Sequence, residues 1–375
     1  MSMKATRDVV YVTHDSLSEG IGMSQIVPLL IGLAQKGFKV GVISCEKMQA
    51  PKELKETLTR YGIFWRPIKF GRFGPLGGLG RLIRLAFFLP QAKVYHCRGD
   101  ISATATSIRS KKPFVWDVRG LWLDQKIILS NLDQRKLLIR VAKHLEKRAA
   151  TKANAVTTLT AAVYPVLRRR HPGLTNNHTV IPTCVDLTKF SFSPNFPPNR
   201  KLLLSGVFNN YYDLDKTRRV TTYLKDYSET SITWCHGKEA EHKRLGVGED
   251  EIKILSQPEM PAEIANSTFG LAICREDAGE SLFGVMPTKV GEFLAIGRPV
   301  IVSAGIGDLD GMLKHYGAGV VLTEDLENDM QLLENLLLDP QTTFRCRELA
   351  EQYFSMEMAV DKYYKILDEL CRGIN

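Results

Sequence analysis

Thr288, Lys289 and Glu292 stand close together in the stretch GVMPTKVGEFLAIGRPVIVSAGIG, positions 284–307. If Pro287-Thr288 opens a helix, the free N–H groups of its first turn and its partial positive charge make an anion site. Lys289 adds a full charge there, and a diphosphate suits it. Glu292 lies one turn on, where a carboxylate accepts hydrogen bonds from a pair of ribose hydroxyls. The same spacing equally suits an ordinary helix start, with Thr288 as its cap and Glu292 in solvent. Other chemistry-bearing residues follow apolar runs. Gly20 and Gly22 come after Val9–Val12, His96 ends Val94–His96, Asp117 and Arg119 close Phe114–Val118, and Arg275 follows Leu271–Cys274. Open α/β sheets bind ligands at such strand ends. Each has a plainer reading: a flexible turn, a packed histidine, an Asp117–Arg119 ion pair, and Arg275 paired with Glu276 or Asp277.

The elements that must position these groups are legible too. A strand at Val9–Val12, an apolar helix from Ser24 to Gln35 and a strand at Phe38–Ser44 form a βαβ unit, without the glycine fingerprint of dinucleotide binders. The spacing after Pro287 predicts a helix over Lys289–Ile296 that ends at Gly297. Pro299–Ser303 is apolar without alternation, as a parallel strand covered on both faces requires. The Pro/Asn-rich stretch Ser193–Asn199 marks a domain boundary, and a new strand series opens at Lys201–Ser205. The segment Cys346–Cys371 reads as a helix with apolar positions Leu349, Tyr353, Met356, Val360, Tyr364 and Leu367. Asp213-Leu-Asp215 and Asp308-Leu-Asp310 imitate a metal-binding Asp-x-Asp, but read as loop carboxylates, and no metal is expected.

The 375 residues, 44% hydrophobic and 24% charged, suit two globular domains and exclude a disordered chain. Seven scattered cysteines have neither zinc spacing nor a disulfide framework, so a cytoplasmic location is expected. A polar start running straight into a strand suggests no secretory signal, and no apolar run is long enough to span a membrane. Residues 1–190 hold 31 Lys+Arg against 12 Asp+Glu, a net +19; the remainder nets −10. Such asymmetry aims the first half at an anionic surface, nucleic acid or acidic lipid. Two basic amphipathic stretches carry much of it, Gly80–Leu89 and Gln134–Lys152. In the first, Phe87 and Phe88 are expected to enter a membrane interface while Arg81 and Arg84 meet headgroups. The alternative is that the apolar faces complete the core.

PTKVGEFLAIGRPVI resembles the C-terminal nucleotide-sugar motif of GT-B glycosyltransferases, in particular the retaining enzymes of family 4 that build bacterial surface polysaccharides. The resemblance extends to the opening loop and to Ile181-Pro-Thr-Cys-Val-Asp186, similar to the family's interdomain linker. It implies two doubly wound Rossmann-like domains facing each other across a cleft. These are an acceptor-side domain at 1–186, a nucleotide-sugar domain at 187–345, and a helical segment at 346–375 that crosses back to the first. It implies Pro287, Thr288 and Lys289 at the donor diphosphate and Glu292 at the ribose, joined in donor binding by Gly20, Gly22, Asn209 and Arg275. Asp117, Arg119, His96 and Lys289 are the implied catalytic set. Where the family's motif has a first glutamate this chain has Gly284, leaving Glu276, Glu280 or no replacement. The expected reaction moves a sugar from a UDP- or GDP-linked donor to a hydroxyl of a glycan or lipid-linked acceptor. Neither cofactor nor metal takes part, on an enzyme peripheral to the inner face of the cell membrane. Two other classes share features with the chain: a nucleotide-sugar 2-epimerase of the same fold, and a basic nucleic-acid-binding protein. The latter leaves the Pro-Thr-Lys helix entry unexplained.

Overall fold

The computed structural model describes residues 7–72, 74–129, 137–206, 211–235 and 252–373. The chain divides into two compact units, Met1–Ile181 with Met356–Asn375, and Pro182–Ser355.

The first unit is built on a parallel sheet of β1 (Arg7–Thr13), β2 (Val40–Glu46), β3 (Phe64–Lys69), β4 (Ala92–Arg98), β5 (Phe114–Val118), β6 (Ala155–Thr158) and β7 (His178–Val180), in the order β3-β2-β1-β4-β5-β6-β7. β2 and β5 are buried along their whole length, as a sheet sandwiched between helices demands. The chain winds outward from β1 in one direction and from β4 in the other. Right-handed crossovers therefore place helices on both faces. On one face α3 (Gly74–Phe88), α4 (Gly99–Arg109), α6 (Leu137–Lys152) and α7 (Val163–Arg170) bury Leu85, Ala103, Ala149 and Val166 in a common core. On the other, α1 (Val27–Gln35) packs against the C-terminal helix Met356–Arg372. Gly32 makes that contact possible: a β-carbon there would lie 2.5 Å from Val360.

Two helix expectations need correction. α1 begins at Val27 and is preceded by a π-turn, Gly22–Ile26. The wide turn lets Gly22 press on the preceding loop, where a β-carbon would meet the Ser16 carbonyl at 2.2 Å. The segment after Cys346 is not one helix. Thr342–Leu349 runs into a π-turn at Ala350–Phe354, and Ser355 is extended at ψ 130°, so the final helix starts afresh at Met356. That break shifts the helical phase, and Tyr363 is buried where Tyr364 is only half-buried.

The second unit repeats the architecture with β8 (Lys201–Ser205), β9 (Ser231–Cys235), β10 (Ile252–Lys253), β11 (Phe269–Ala272), β12 (Val300–Ser303) and β13 (Gly319–Leu322), ordered β10-β9-β8-β11-β12-β13 and all parallel. Leu202, Trp234, Phe269, Ile301 and Val320 form its core with Val220, Leu224 and Leu333 from the helices. The segments through which the chain enters and leaves this unit are paired. Val185 bridges Ser355, and the Val185 N–H donates to the Phe354 carbonyl at 2.7 Å. Arg298, fully buried, locks the Pro/Asn-rich linker to the sheet by donating to carbonyls of Ser193, Asn195, Ala265 and Ser267 at 2.8–2.9 Å.

Candidate functional site

In each unit the strand order reverses between its first and fourth strands, β1/β4 in one and β8/β11 in the other. Ligands of doubly wound sheets bind at such points.

In the second unit the helix Thr288–Ile296 follows β11 and leads into β12. Pro287, at φ −66° and ψ 127°, is its N-cap, and no side chain caps the first turn. Thr288 is therefore the first helical residue rather than the cap: no side chain closes the first turn, and the Val290 N–H donates to the Pro287 carbonyl at 3.0 Å. Thr183 steadies the entry by donating to the Met286 carbonyl at 2.8 Å. Gly297 ends the helix in the left-handed region at φ 91°, where glycine carries no steric penalty.

The Lys289 ammonium lies 4.4 Å from the centroid of the Tyr212 ring, a cation–π contact. Gly206, at φ 89° past the end of β8, comes so near that a β-carbon would sit 3.9 Å from Lys289 Nζ. Burial lowers the Lys289 pKa to about 8, although Cys274 and Glu292 pull it upward. Burial likewise raises Glu292 to about 7, against the opposing pull of Lys289. Both groups thus hold their charge weakly near neutrality, so each stands to gain from a ligand that favours the charged form.

Arg275 leaves the end of β11 and pairs with Asp277, its Nε donating at 2.8 Å. Glu276 pairs with Lys216 at 2.6 Å, and Glu276 and Glu280 are both exposed. A cavity of about 670 Å³ opens here, lined by Tyr212, Lys216, Arg219 and Arg275 among others. Tyr212 thus meets Lys289 and also lines this cavity. Asn209 lies outside the described residues. Of the Asp-x-Asp look-alikes, Asp213 caps the helix Leu214–Ser228 by accepting from the Lys216 N–H at 2.8 Å, and Asp310 accepts from the Gly305 N–H at 2.9 Å.

In the first unit the opening loop is held from below. Glu46, at the end of β2, accepts from the Ser16 hydroxyl at 2.5 Å, the Leu17 N–H at 2.9 Å and the Ser18 and Ser44 hydroxyls at 2.9 and 2.6 Å. Four donors to one carboxylate fix the path of the chain toward Gly20 and Gly22. Gly20 has open space around it; Gly22 is jammed against the loop.

Asp117 is buried, and its hydrogen bonds fall on one oxygen. Its Oδ1 accepts from the Thr157 hydroxyl at 2.9 Å and the Tyr363 hydroxyl at 3.0 Å, while Arg119 Nη1 stands 3.6 Å away. His96 Nε2 is 3.4 Å from Oδ2, and Arg98 Nη1 4.0 Å. The His96 ring lies between Tyr11 and Tyr363, centroids 4.4 and 4.5 Å away. Burial pushes the Asp117 carboxyl up, but Arg119, His96 and Arg98 together outweigh it and hold it well below the usual carboxylate range. Burial also lowers the His96 pKa, favouring its neutral ring. His96 and Asp117, expected at a ligand site, are both interior, with Tyr363 of the helix Met356–Arg372 lying against them. Arg119, with 13% of its side chain exposed, is the member of the trio that reaches the surface. Arg98 completes the group with its Nε 3.1 Å from Asp15 in the opening loop.

The structure thus gathers Thr288, Lys289 and Glu292 with the end of β8 in one unit, and Asp117, Arg119 and His96 with Asp15 and Arg98 in the other. Glu46 and Tyr363 escaped the sequence reading, whereas Arg98 stands with His96 at a strand end and Tyr212 in the loop after β8, both places that the sequence marks. Tyr363 looks like any core residue of an amphipathic helix.

Comparison with known proteins agrees with this geometry. Residues 25–189 match the model of Glycosyltransferase Family 4. Comparison with curated protein sequences gives no match. Among solved structures, sucrose-phosphate synthase from Thermosynechococcus elongatus superposes with a TM-score of 0.74 at 13% identity, covering 98% of this chain and 100% of that one. HepE of Anabaena in complex with UDP gives 0.68 at 13%, covering 96% and 100%. The lipopolysaccharide outer core galactosyltransferase WaaB gives 0.62 at 14%, covering 98% and 100%. Two parallel sheets of seven and six strands, matched over nearly their whole length, give this chain the GT-B glycosyltransferase fold, and residues 25–189 are similar to Glycosyltransferase Family 4.

Proposed function

We propose that this glycosyltransferase takes its sugar from a nucleoside-diphosphate donor, UDP- or GDP-linked, and passes it to a hydroxyl of a glycan or lipid-linked acceptor in cell-surface polysaccharide or glycolipid synthesis. The observation that carries the reading is the uncapped helix entry at Pro287-Thr288, with the Lys289 ammonium beside it and Glu292 one turn on. Diphosphate oxygens accept from the first-turn amides and from Lys289, and Glu292 accepts from the ribose hydroxyls. As the sugar–oxygen bond breaks, negative charge grows on the leaving diphosphate. Fixed amides and a buried ammonium stabilise that charge without a divalent ion and without rearranging. Arg119 is the group of the first unit proposed to meet substrate; Asp117 and His96 hold it in place from inside. Stereochemical retention follows from the family resemblance. The nucleotide complexes of HepE, described with UDP and with UDP-glucose, support a nucleotide-sugar donor by analogy of fold.

The test is a panel of nucleotide sugars assayed for donor hydrolysis and transfer in excess chelator, with UDP and GDP binding measured by calorimetry. Folded protein that binds neither nucleotide removes the reading. Strict dependence on manganese or magnesium removes the metal-free mechanism. Interconversion of donor sugars without any acceptor would assign the chain to the epimerases instead.

A further inference from the structure

We propose that the face of the first unit formed by α3, α4 and α6 is a docking surface for an anionic lipid bilayer, and that it docks by an apolar stripe on α3 rather than by that helix's arginines. This deepens the reading above, from which it takes only the lipid-linked acceptor.

The stripe is Leu76, Leu79, Ile83 and Phe87, spaced so that all four fall on one side of the helix. They are 72%, 44%, 56% and 75% exposed, although large apolar side chains at helical spacing normally face a core. The basic residues of α3 turn the other way. Arg81 is buried, its guanidinium 4.1 Å from the Phe70 ring centroid and donating to the Arg72 carbonyl at 3.0 Å. Arg84 donates to the Gly80 carbonyl of its own helix at 3.0 Å and to the Phe70 carbonyl at 3.4 Å. The expected arrangement, with Arg81 and Arg84 at headgroups, is thus inverted: these arginines anchor the helix to its own domain and leave hydrocarbon outside.

Charge on the same face comes from its neighbour. α4 packs between α3 and α6, and α6 exposes Arg140, Lys143 and Lys147 together with Leu137 and Val141. Among the described residues from 74 to 152, no carboxylate opposes them at the surface. Asp100 accepts from the Trp116 ring N–H, Asp117 lies in its buried network, Asp124 pairs with Arg170, and Glu146 pairs with His171. Hydrocarbon points and cations on α3 and α6, with no exposed carboxylate among the described residues there, match a fluid negatively charged surface. A bilayer needs no shape complementarity and accepts separate points of insertion, whereas a folded partner would present charges of both signs. Basic residues near such a surface attract it cumulatively, and screening weakens the attraction.

Co-sedimentation of the full chain with phosphatidylglycerol vesicles and with neutral phosphatidylcholine vesicles, at low and high salt, tests the proposal. Binding to the anionic vesicles should exceed binding to neutral ones at least tenfold at low salt and fall as salt rises. Ile83→Asp with Phe87→Asp should lower anionic-vesicle binding at least tenfold. Arg140→Glu, Lys143→Glu and Lys147→Glu together should lower it and flatten its salt dependence. Circular dichroism and lipid-free nucleotide calorimetry, run on the same variants, show that each is folded. They also separate the two claims: nucleotide binding without vesicle binding overturns the docking surface alone, and the reverse overturns the donor reading alone. Equal binding to both vesicle types overturns docking, as do folded variants that bind like the parent. So does a lipid-free self-association that the α3 substitutions abolish while vesicles go unbound.

Discussion

Asp117 in the first unit and Lys289 in the second both lie near a reversal of strand order, and both are buried, yet the protein treats their charges in opposite ways. Asp117 has two hydroxyl donors on one oxygen and cationic side chains nearby, and its carboxyl is held well below its ordinary range. Lys289 has an aromatic face and an approaching glycine, and burial pulls its pKa down to about 8. A charge held by cations and hydroxyls of its own unit contributes to folding. A charge that burial disfavours costs stability in the empty protein and recovers that cost when an anion arrives.

The sharpest way to break this comparison is Asp117→Asn. Removing one side of a buried charged network should lower stability by about 3–5 kcal/mol. Denaturant unfolding at neutral pH measures it. Because the folded pKa of Asp117 is depressed, its stabilisation is fully present above the ordinary carboxylate range and is lost as pH falls below that range through the lower folded value, so variant and parent should converge only in strong acid. A variant as stable as the parent but inactive would make Asp117 a substrate-contacting group and end the contrast.

Lys289→Met should do the reverse, leaving unfolding free energy unchanged or raised while weakening UDP or GDP binding by about 1.5–3 kcal/mol, the range for charge-assisted hydrogen bonds. Glu292→Ala should weaken nucleotide binding by a similar amount. Calorimetry on folded protein decides both; unchanged affinity removes the residue from the site.

Titration sharpens the same point. A diphosphate prefers protonated Lys289, so affinity should fall above pH 8, by roughly tenfold or about 1.4 kcal/mol between pH 7 and pH 9. Ribose hydroxyls prefer ionised Glu292, so affinity should also fall below about pH 7. Nucleotide affinity is expected to peak between those values. A flat profile from pH 6 to 9 would mean that neither group meets the ligand.

The smallest expected effect is Tyr363→Phe, which deletes one of the hydroxyls donating to Asp117 but keeps the ring beside His96. A loss of about 1 kcal/mol in unfolding free energy is expected, the usual worth of a buried hydrogen bond. An effect on nucleotide binding instead of stability would mean the network serves the donor.

The local pattern of this chain determined a good deal. Unbroken β-branched runs such as Val300–Ser303 have to be covered on both faces, and Pro287 with Gly297 brackets a helix whose chemistry can be read from Lys289 and Glu292. One doubly wound βαβ unit, Val9–Ser44, followed from the alternation of such strands with an apolar helix; a pair of such domains was what the resemblance to GT-B enzymes implied. Tertiary structure alone decided which way side chains turned and which distant groups met. Arg81 and Phe87 lie on one short basic helix, and nothing in its periodicity says that the arginine folds inward onto Phe70 while the phenylalanine stays outside. His96 and Asp117 read as strand-end ligands until a helix from the far end of the chain lays Tyr363 over them. Helical and strand periods are properties of neighbouring residues, whereas the exposure of a strand end depends on what packs against it. In this protein the covering helix begins at Met356, more than two hundred residues after Asp117.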